Sequence, residues 1–488
     1  MSSNDWKSRN DKVPSIGKSA AAVKPGYKMT EVGVIPEEWE VRWLPEVSWF
    51  QEGPGLRNWQ FTSSGMKVIN VTNLENGFLN LDRTDRHIGI AEFKRMYLHF
   101  AIDAFDIVMA SSGNSYSKAA VVREQDLPLV MNTSVIRFKP SKLCEYGFLW
   151  ALLTSPQFKA QIDLMITGGA QPNFGPYHLN RVIVPMPPLP EQRAIATALS
   201  DVDALLGGLD RLIAKKRDIK QAAMQQLLTG QTRLPGFHGE WEVKTLGDLF
   251  NFSGGYSASR DQLSMKGHCY LHYGDIHGST KTCIDTDADF QDIPKLDIPL
   301  NRVSPGSLLS DGDVVFVDAS EDDVGTSKHV VVVNKEKKPF ISGLHTIVAK
   351  GKTDELAHDY RRYCFQTKAI RDQFLFYSVG TKVSGISKTN IPKLTLPVPS
   401  LPEQTAIATV LSDMDAELAG LEQRREKTRA LKQGMMQELL TGRIRLVPGI
   451  ERNIGDEGDI SPSFSVSPAS SLSPLHPAPP PAKLRHGK

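Results

Sequence analysis

Cysteine is scarce in this chain. The four present (Cys144, Cys269, Cys283, Cys364) are scattered, and no pair has the CxxC spacing, so neither a disulfide framework nor a thiolate metal site is expected. The stretch His268, Cys269, His272, His277, Cys283 holds ligand-type side chains at a spacing that matches no zinc pattern. No run approaches the roughly 20 apolar residues that a membrane helix needs. The first residues, MSSNDWKSRNDKVPSIGKSAAAVKPGYK, carry no apolar core of signal-peptide type, so a cytoplasmic protein with no membrane partner is expected. Charge of one sign is missing too. The net value of +2 lacks the strong positive balance that nucleic-acid binders often show, and leaves such binding open.

Catalytic signatures are equally sparse. Gly17-Lys-Ser19 and Gly351-Lys-Thr353 look like the end of a phosphate-binding loop. Lys12 and Thr346 stand where that motif needs its first glycine. There is no Asn/Asp-Pro-Pro-aromatic tetrapeptide of the amino-methyltransferase kind, no glycine fingerprint for a nucleotide, and no recognisable triad. A non-catalytic chain with no cofactor or metal of its own is expected.

What the chain does have is a repeat. The segment from Leu189, LPEQRAIATALSDVDALLGGLDRLIAKKRDIKQAAMQQLLTGQTRL, recurs without a gap from Leu401 as LPEQTAIATVLSDMDAELAGLEQRREKTRALKQGMMQELLTGRIRL. Each copy reads as one long helix. Pro190 and Pro402 suit a first turn, Glu191 and Glu403 favour its positive end, and Gly230 and Gly442 fall where a helix stops. About 39 residues lie between these signals, or roughly 60 Å at 1.5 Å per residue. Ile195, Leu199, Val202, Leu206, Leu209 and Ile213 alternate steps of four and three, and Ile407, Leu411, Met414, Leu418 and Leu421 repeat that register. Such a stripe predicts an antiparallel coiled coil between the two copies, the alternative being two helices packed separately on their own domains. The clusters Lys215-Lys216-Arg217 and Arg424-Arg425 read as solvated helix faces.

A weaker repeat frames the first. Ile35-Pro-Glu-Glu-Trp-Glu-Val precedes one large block, and Phe237-His-Gly-Glu-Trp-Glu-Val precedes another. Trp39 pairs with Trp241, Val41 with Val243 and Leu44 with Leu246. The blocks themselves, about residues 48–188 and 250–400, have diverged far more than the helices. A duplicated reader whose halves recognise different things has this pattern.

Both blocks mix strand-like runs (Asp106–Ala110, Ser134–Phe138, Asp313–Val317, His329–Val333) with expected helices around Tyr146–Leu153 and Ala357–Phe376, so mixed α/β domains are predicted. Two loop families recur. One follows a strand: Ser111-Ser-Gly-Asn-Ser-Tyr-Ser-Lys118 and Asp318-Ala-Ser-Glu-Asp-Asp-Val-Gly-Thr-Ser-Lys328. The other precedes each long helix: Gly168-Gly-Ala-Gln-Pro-Asn-Phe174 and Gly380-Thr-Lys-Val-Ser-Gly-Ile386. Glycine permits close backbone approach, and the polar side chains suit phosphates or base edges. Any one loop also reads as an ordinary turn; the matched pair favours DNA contact. The candidates are Ser112, Asn114, Ser115, Tyr116, Lys118, Gln171 and Asn173 in the first block, and Thr326, Ser327, Lys328, Lys382, Ser384, Ser387 and Lys388 in the second.

Over about residues 30–446 the arrangement resembles the specificity subunits of Type I restriction-modification systems. The resemblance rests on Gln171-Pro-Asn-Phe leading through Val182-Ile-Val-Pro-Met-Pro-Pro-Leu-Pro-Glu-Gln192 into the first helix. Its counterpart is Val383-Ser-Gly-Ile-Ser-Lys leading through Leu394-Thr-Leu-Pro-Val-Pro-Ser-Leu-Pro-Glu-Gln404 into the second. Asp106-Ile-Val and Gly312-Asp-Val-Val look like the strand-loop pattern of the family's target-recognition domains. One departure is that Lys382-Val-Ser replaces Gln-Pro-Asn, so equivalent contacts do not follow. The resemblance implies two α/β target-recognition domains related by an internal pseudo-twofold repeat, with boundaries 29–188 and 233–400. Spacer helices at 189–232 and 401–446 and disordered tails at 1–28 and 447–488 complete the chain. It further implies double-stranded DNA as ligand, two modification subunits carrying S-adenosylmethionine, and restriction subunits carrying ATP and magnesium. Two rivals are a single-chain restriction-methylation enzyme, for which the motifs are absent, and a coiled-coil scaffold, which leaves the duplicated blocks unexplained. A specificity subunit of a related system is the nearest neighbour.

Overall fold

The computed structural model describes residues 23–166, 172–279, 281–320, 327–378 and 384–446. Gln171, Thr326 and Lys382, residues 1–22 of the expected tail 1–28, and the expected tail 447–488 lie outside them.

The repeated segments fold as two helices of equal length, Leu189–Leu227 and Leu401–Leu439, with 39 residues each, about 58 Å long. Proline occupies the first turn of both. Gly230 and Gly442, just past their ends, have φ of +70° and +69°, a left-handed conformation that glycine adopts without strain. The two helices run side by side in opposite directions. Asp203 pairs with Lys432 at 2.6 Å, Asp210 with Arg425 at 3.4 Å, and Lys216 with Glu417 at 2.7 Å. Lys216 and Arg425 were expected on solvated faces. They bridge the helices instead, as does Arg217 with Glu422; the charges lie beside the apolar stripe, where a neighbouring helix brings opposite partners within reach. Each such half-exposed pair contributes little, about 0–1 kcal/mol. Of the stripe, Ile195, Leu199, Leu209, Ile213, Ile407, Leu411 and Leu418 are buried, while Val202, Leu206, Met414 and Leu421 are half-buried.

Each block is a sheet-rich α/β unit pinned to the base of a long helix. In the first, Glu40–Trp43 pairs antiparallel with Ile183–Met186. In the second, Glu242–Thr245 pairs in the same way with Thr395–Val398. The strand entering each block therefore lies against the strand leaving it for the helix.

Between those strands both blocks build the same main sheet. The first block's order is Ser48–Glu52, Val135–Pro140, Ile107–Ala110, Ala119–Val121, Gly77–Leu79, with Leu74–Glu75 at the edge. The second block's is Phe250–Gly254, Thr346–Gly351, Val314–Val317, His329–Val333, Cys283–Asp285. In both, the contact between the fourth and fifth strands is parallel and the others before it antiparallel. A smaller sheet in each contains a parallel pair, Met66–Ile69 with Leu129–Met131 and His268–Leu271 with Phe340–Ser342. The central strands are wholly apolar and buried, as strands covered on both faces require.

The cores extend into the helices. The first block's core takes in Ile195 and Leu199 from the start of the first helix, and Met436, Leu439 and Leu440 from the end of the second. The second block's takes in Met224, Leu227 and Leu228 together with Ile407, Ala408 and Leu411. Each block is thus seated on one end of the helix pair.

Two expectations need correction. The helix expected over Ala357–Phe376 is two, His358–Cys364 and Lys368–Tyr377. Thr367 starts the second by accepting from Ile370 N at 3.3 Å with its hydroxyl, and Ser155 does the same for Phe158 N at 3.1 Å before Pro156–Met165. Tyr27 and Lys28, assigned to the N-terminal tail, open a strand that pairs with Gly33–Pro36; the Tyr27 hydroxyl also reaches the Gly442 carbonyl at 3.1 Å.

Candidate nucleic-acid interface

The candidate loops start where the central strand of each main sheet ends. Ile107–Ala110 leads into Ser111, and Val314–Val317 into Asp318. Both strands begin from an aspartate that closes the preceding turn: Asp106 accepts from Asp103 N at 2.9 Å, and Asp313 from Ser310 N at 2.8 Å. A lysine of the adjoining strand pairs with each, Lys139 at 3.4 Å and Lys350 at 2.6 Å. Burial pushes the Asp106 carboxyl above its ordinary range, against the pull of Lys139 and Arg137.

The two loop families meet. In the first block Phe174 N donates to Ser111 O at 3.0 Å, Gly113 N donates to Pro172 O at 3.0 Å, and Ser112 bridges Asn173. In the second, Ile386 N donates to Asp318 O at 2.8 Å, and Ala319–Ser320 pairs with Ser384–Gly385. So Ser112 lies beside Asn173, and the backbone of Ser384 beside that of Ser320. A backbone junction of one design closes the same end of both sheets.

The other candidates divide around it. Asn114 is exposed at the tip of the first loop. Ser115 and Lys118 line a polar cavity of about 560 Å³ shared with Thr72, Glu75, Asn76 and Arg83. Arg83 and Asn80 bind the Glu75 carboxylate at 2.8 Å each, and the Arg83 bond above all holds its pKa below the ordinary value. Tyr116 is held internally. Its hydroxyl donates to Asp163 at 2.6 Å, and Lys159 stacks over its ring at 4.3 Å. In the second block Ser387 is exposed, with its hydroxyl 2.8 Å from that of Thr389, and Lys388 is exposed beside it.

Ser327 and Lys328 do not join the junction. Ser327 is buried, and Lys328 donates from its ammonium to the His277 carbonyl. The loop is long enough that its last residues already belong to the approach to His329–Val333. The histidines and cysteines between His268 and Cys283 are dispersed: Cys269 is buried in a strand and His272 caps Tyr273–His277 by accepting from Gly274 N at 3.1 Å. Among the described residues no group of three or more His, Cys, Asp or Glu side chains converges on a point. A larger cavity, about 840 Å³, opens between Pro156–Met165 and the second long helix and includes none of the loop residues.

Three residues at the junction have no counterpart among the sequence candidates. Glu52, at the end of the strand Ser48–Glu52, is half-buried, with its carboxylate near Gly175; burial raises its pKa. Asp318 lies 3.4 Å from His345 Nδ1, and burial of Asp318 raises its pKa against the pull of His345 and Lys388. Asp318 opens a loop named in the sequence, whereas only strand register brings Glu52 and His345 to the loops, and no local motif marks those two.

Below the junctions sits a second repeated device. Glu191, 2% exposed, accepts from Trp39 Nε1 at 3.0 Å and from Arg445 at 2.7 and 2.9 Å. Glu403, 1% exposed, accepts from Trp241 Nε1 at 3.1 Å and from Arg233 at 2.6 Å. The adjacent Gln192 and Gln404 tie each helix to its block: Gln192 accepts from Glu145 N and Gln404 from Ala357 N, both at 2.8 Å. The glutamates, expected to favour the helix's positive end, are buried receptors for an indole and a guanidinium.

A family model described as "Type I restriction modification DNA specificity domain" matches residues 36–214 and again residues 238–429. The chain belongs to that family. Recognition, not catalysis, is the part such a specificity subunit takes. The chain is 23% identical over 436 residues to the putative type I restriction enzyme MjaX specificity subunit of Methanocaldococcus jannaschii, covering 86% of this chain and 97% of that one. It is 22% identical over 433 residues to the EcoKI specificity subunit of Escherichia coli K12, covering 85% and 90%. The likeness to the MjaVIII specificity subunit of M. jannaschii is 29% over 213 residues; it covers 43% of this chain and spans about half, 49%, of that relative. A solved structure, reported for complex assembly and conformational transition of the type I R-M system, aligns with a TM-score of 0.52 at 17% identity, over 84% of this specificity subunit and 99% of that chain. That likeness concerns the fold. Among the described residues no helix is long and apolar enough to cross a membrane.

Proposed function

We propose that the chain recognises a split target in double-stranded DNA, each block reading one half and the two long helices setting the gap. The observation that carries this is the doubled junction: one strand order and one loop-to-loop closure built twice, at opposite ends of a helix pair. On this reading the blocks are target-recognition domains at 29–188 and 233–400. The segments 189–232 and 401–446 form an antiparallel coiled coil about a pseudo-twofold axis. Half-sites one DNA turn apart are separated by roughly 34 Å, a span that helices of this length bridge.

The candidate contacts are Ser112, Asn114, Ser115, Lys118 and Asn173 in one block and Ser384, Ser387 and Lys388 in the other, with Gln171 and Lys382 in the same loops. Two modification subunits would bring S-adenosylmethionine and methylate adenine, and restriction subunits would bring ATP and magnesium, in the cytoplasm. Base extrusion for methylation is then the partner's task. A net charge of only +2 suits a reader whose partners supply much of the phosphate contact, the term that dominates affinity.

Single-molecule methylome sequencing tests this, comparing cells that express the chain with its modification subunits against cells lacking the chain. A methyladenine motif split by a fixed gap, present only with the chain, is expected. No chain-dependent motif beside an active modification subunit would favour a scaffold.

A further inference from the structure

Glu52 and Gly254 occupy one place in the two blocks. Each ends the first strand of its main sheet, Glu52 opposite Ile136 and Gly254 opposite Ile347. Each also borders the loop that runs from the junction into a long helix. In the first block the strand fills the gap between strand end and loop, and the loop gives way: a Cβ placed on Gly175 would lie 3.4 Å from Glu52 Oε2. In the second block the arrangement is reversed. The strand contributes glycine and the loop contributes the long side chain, so that a Cβ on Gly254 would lie 3.1 Å from Lys388 Nζ. One gap is therefore filled by a carboxylate in one block and an ammonium in the other.

Neither charge is consumed by the fold. Among the described residues Glu52 has no hydrogen-bond donor or cation on its carboxylate, and burial without a partner raises its pKa. Lys388 feels the field of Asp318 but makes no hydrogen bond or ion pair among the described residues. A half-buried carboxylate left unpaired costs stability, and placed beside a polyanion it also repels. Left without a partner in the fold, it is open to a donor supplied from outside.

The two charges suit opposite base edges. A carboxylate only accepts, and the amino groups of cytosine N4 and adenine N6 are the donors of the major groove; an ammonium only donates, and guanine O6 and N7 are paired acceptors there. We propose that Glu52 and Lys388 are specificity-determining residues of the two half-sites, Glu52 selecting an amino-bearing base and Lys388 a guanine. The inference rests on the DNA-reading function above. Glu52 also works by exclusion, since the keto edges of guanine and thymine would face it acceptor to acceptor.

The test is the methylated motif written by the full chain with its modification subunits, for wild type, Glu52→Gln and Lys388→Met. It is paired with methylation rates on duplexes varied one base at a time. Glu52→Gln keeps the side-chain length and Lys388→Met loses only the terminal atom, and thermal melts confirm that both fold. Glu52→Gln is expected to relax one position of one half-site, losing roughly 5- to 150-fold of discrimination against the keto bases there. Lys388→Met is expected to relax a guanine of the other half-site to a similar degree. An unchanged motif in both variants overturns the inference. So does a uniform fall in methylation with base preference intact, which would mark a phosphate contact or a structural role. A wild type that writes no split motif overturns it together with the function it rests on.

Discussion

Arg445 and Glu191 are 254 residues apart in the chain and joined by a 2.7 Å hydrogen bond. The guanidinium follows the end of the second long helix, and the carboxylate lies in the first turn of the first. Trp39 closes the same carboxylate from the lead-in to the first block. Arg233, Trp241 and Glu403 repeat the arrangement at the other end. Each end of the helix pair is thus fastened to its block by a buried acid, and both separation and orientation of the blocks follow from it.

Breaking that clamp is expected to destabilise the fold. Glu191→Ala leaves the Trp39 indole N–H without its acceptor and Arg445 without its counter-charge. The loss is about 3 kcal/mol, the lower end for a broken buried pair, because Arg445 keeps some contact with water. Urea unfolding of wild type and variant measures it. A change under about 0.5 kcal/mol, the level of an ordinary surface substitution, would show that the clamp is incidental.

The spacer role predicts a gap that scales with the helices. Insertion of seven residues into both, at facing levels beside the Asp210–Arg425 pair, nearly preserves each helix face. It adds about 10 Å, or roughly three base pairs at 3.4 Å each. Methylome sequencing is expected to show the same half-sites with a longer gap. An unchanged gap in a stable, active variant would mean that the partners set it.

Acid is expected to weaken the second block through His329. This ring is buried against Phe316 and Phe365, with centroids 5.5 and 5.1 Å away, and burial lowers its pKa to about 4. A histidine whose folded pKa is depressed is neutral in the native state, while the unfolded chain binds its proton below about pH 6.5. Its contribution is therefore complete above that pH and lost as the pH falls toward 4. From pH 7 to pH 5 the loss is about 2 kcal/mol. His329→Gln should flatten the pH dependence of the urea midpoint by that amount; an identical slope in both proteins would contradict the burial account.

Much of this organisation was legible in the sequence. The long helices were readable because every signal is local: proline in the first turn, a 3–4 apolar step, glycine at the end. Leu189–Leu227 and Leu401–Leu439 carry all three. The loop pairs were readable because each follows or precedes such an element. Glu52 and His345 were not, since only strand register brings them to the loops. Nor was the role of Glu191, whose partners Trp39 and Arg445 come from distant parts of the chain. Ser327 looked like its neighbours in a polar loop and proved buried, at the approach to the strand His329–Val333.

The claim that each block reads its own half-site is tested most directly by exchange. Residues 48–188 are replaced by the corresponding block of another family member, and the methylome is sequenced with the native modification subunits present. The account predicts that one half of the motif changes to that of the donor while the other half and the gap stay as they were. A motif in which both halves change together would contradict it.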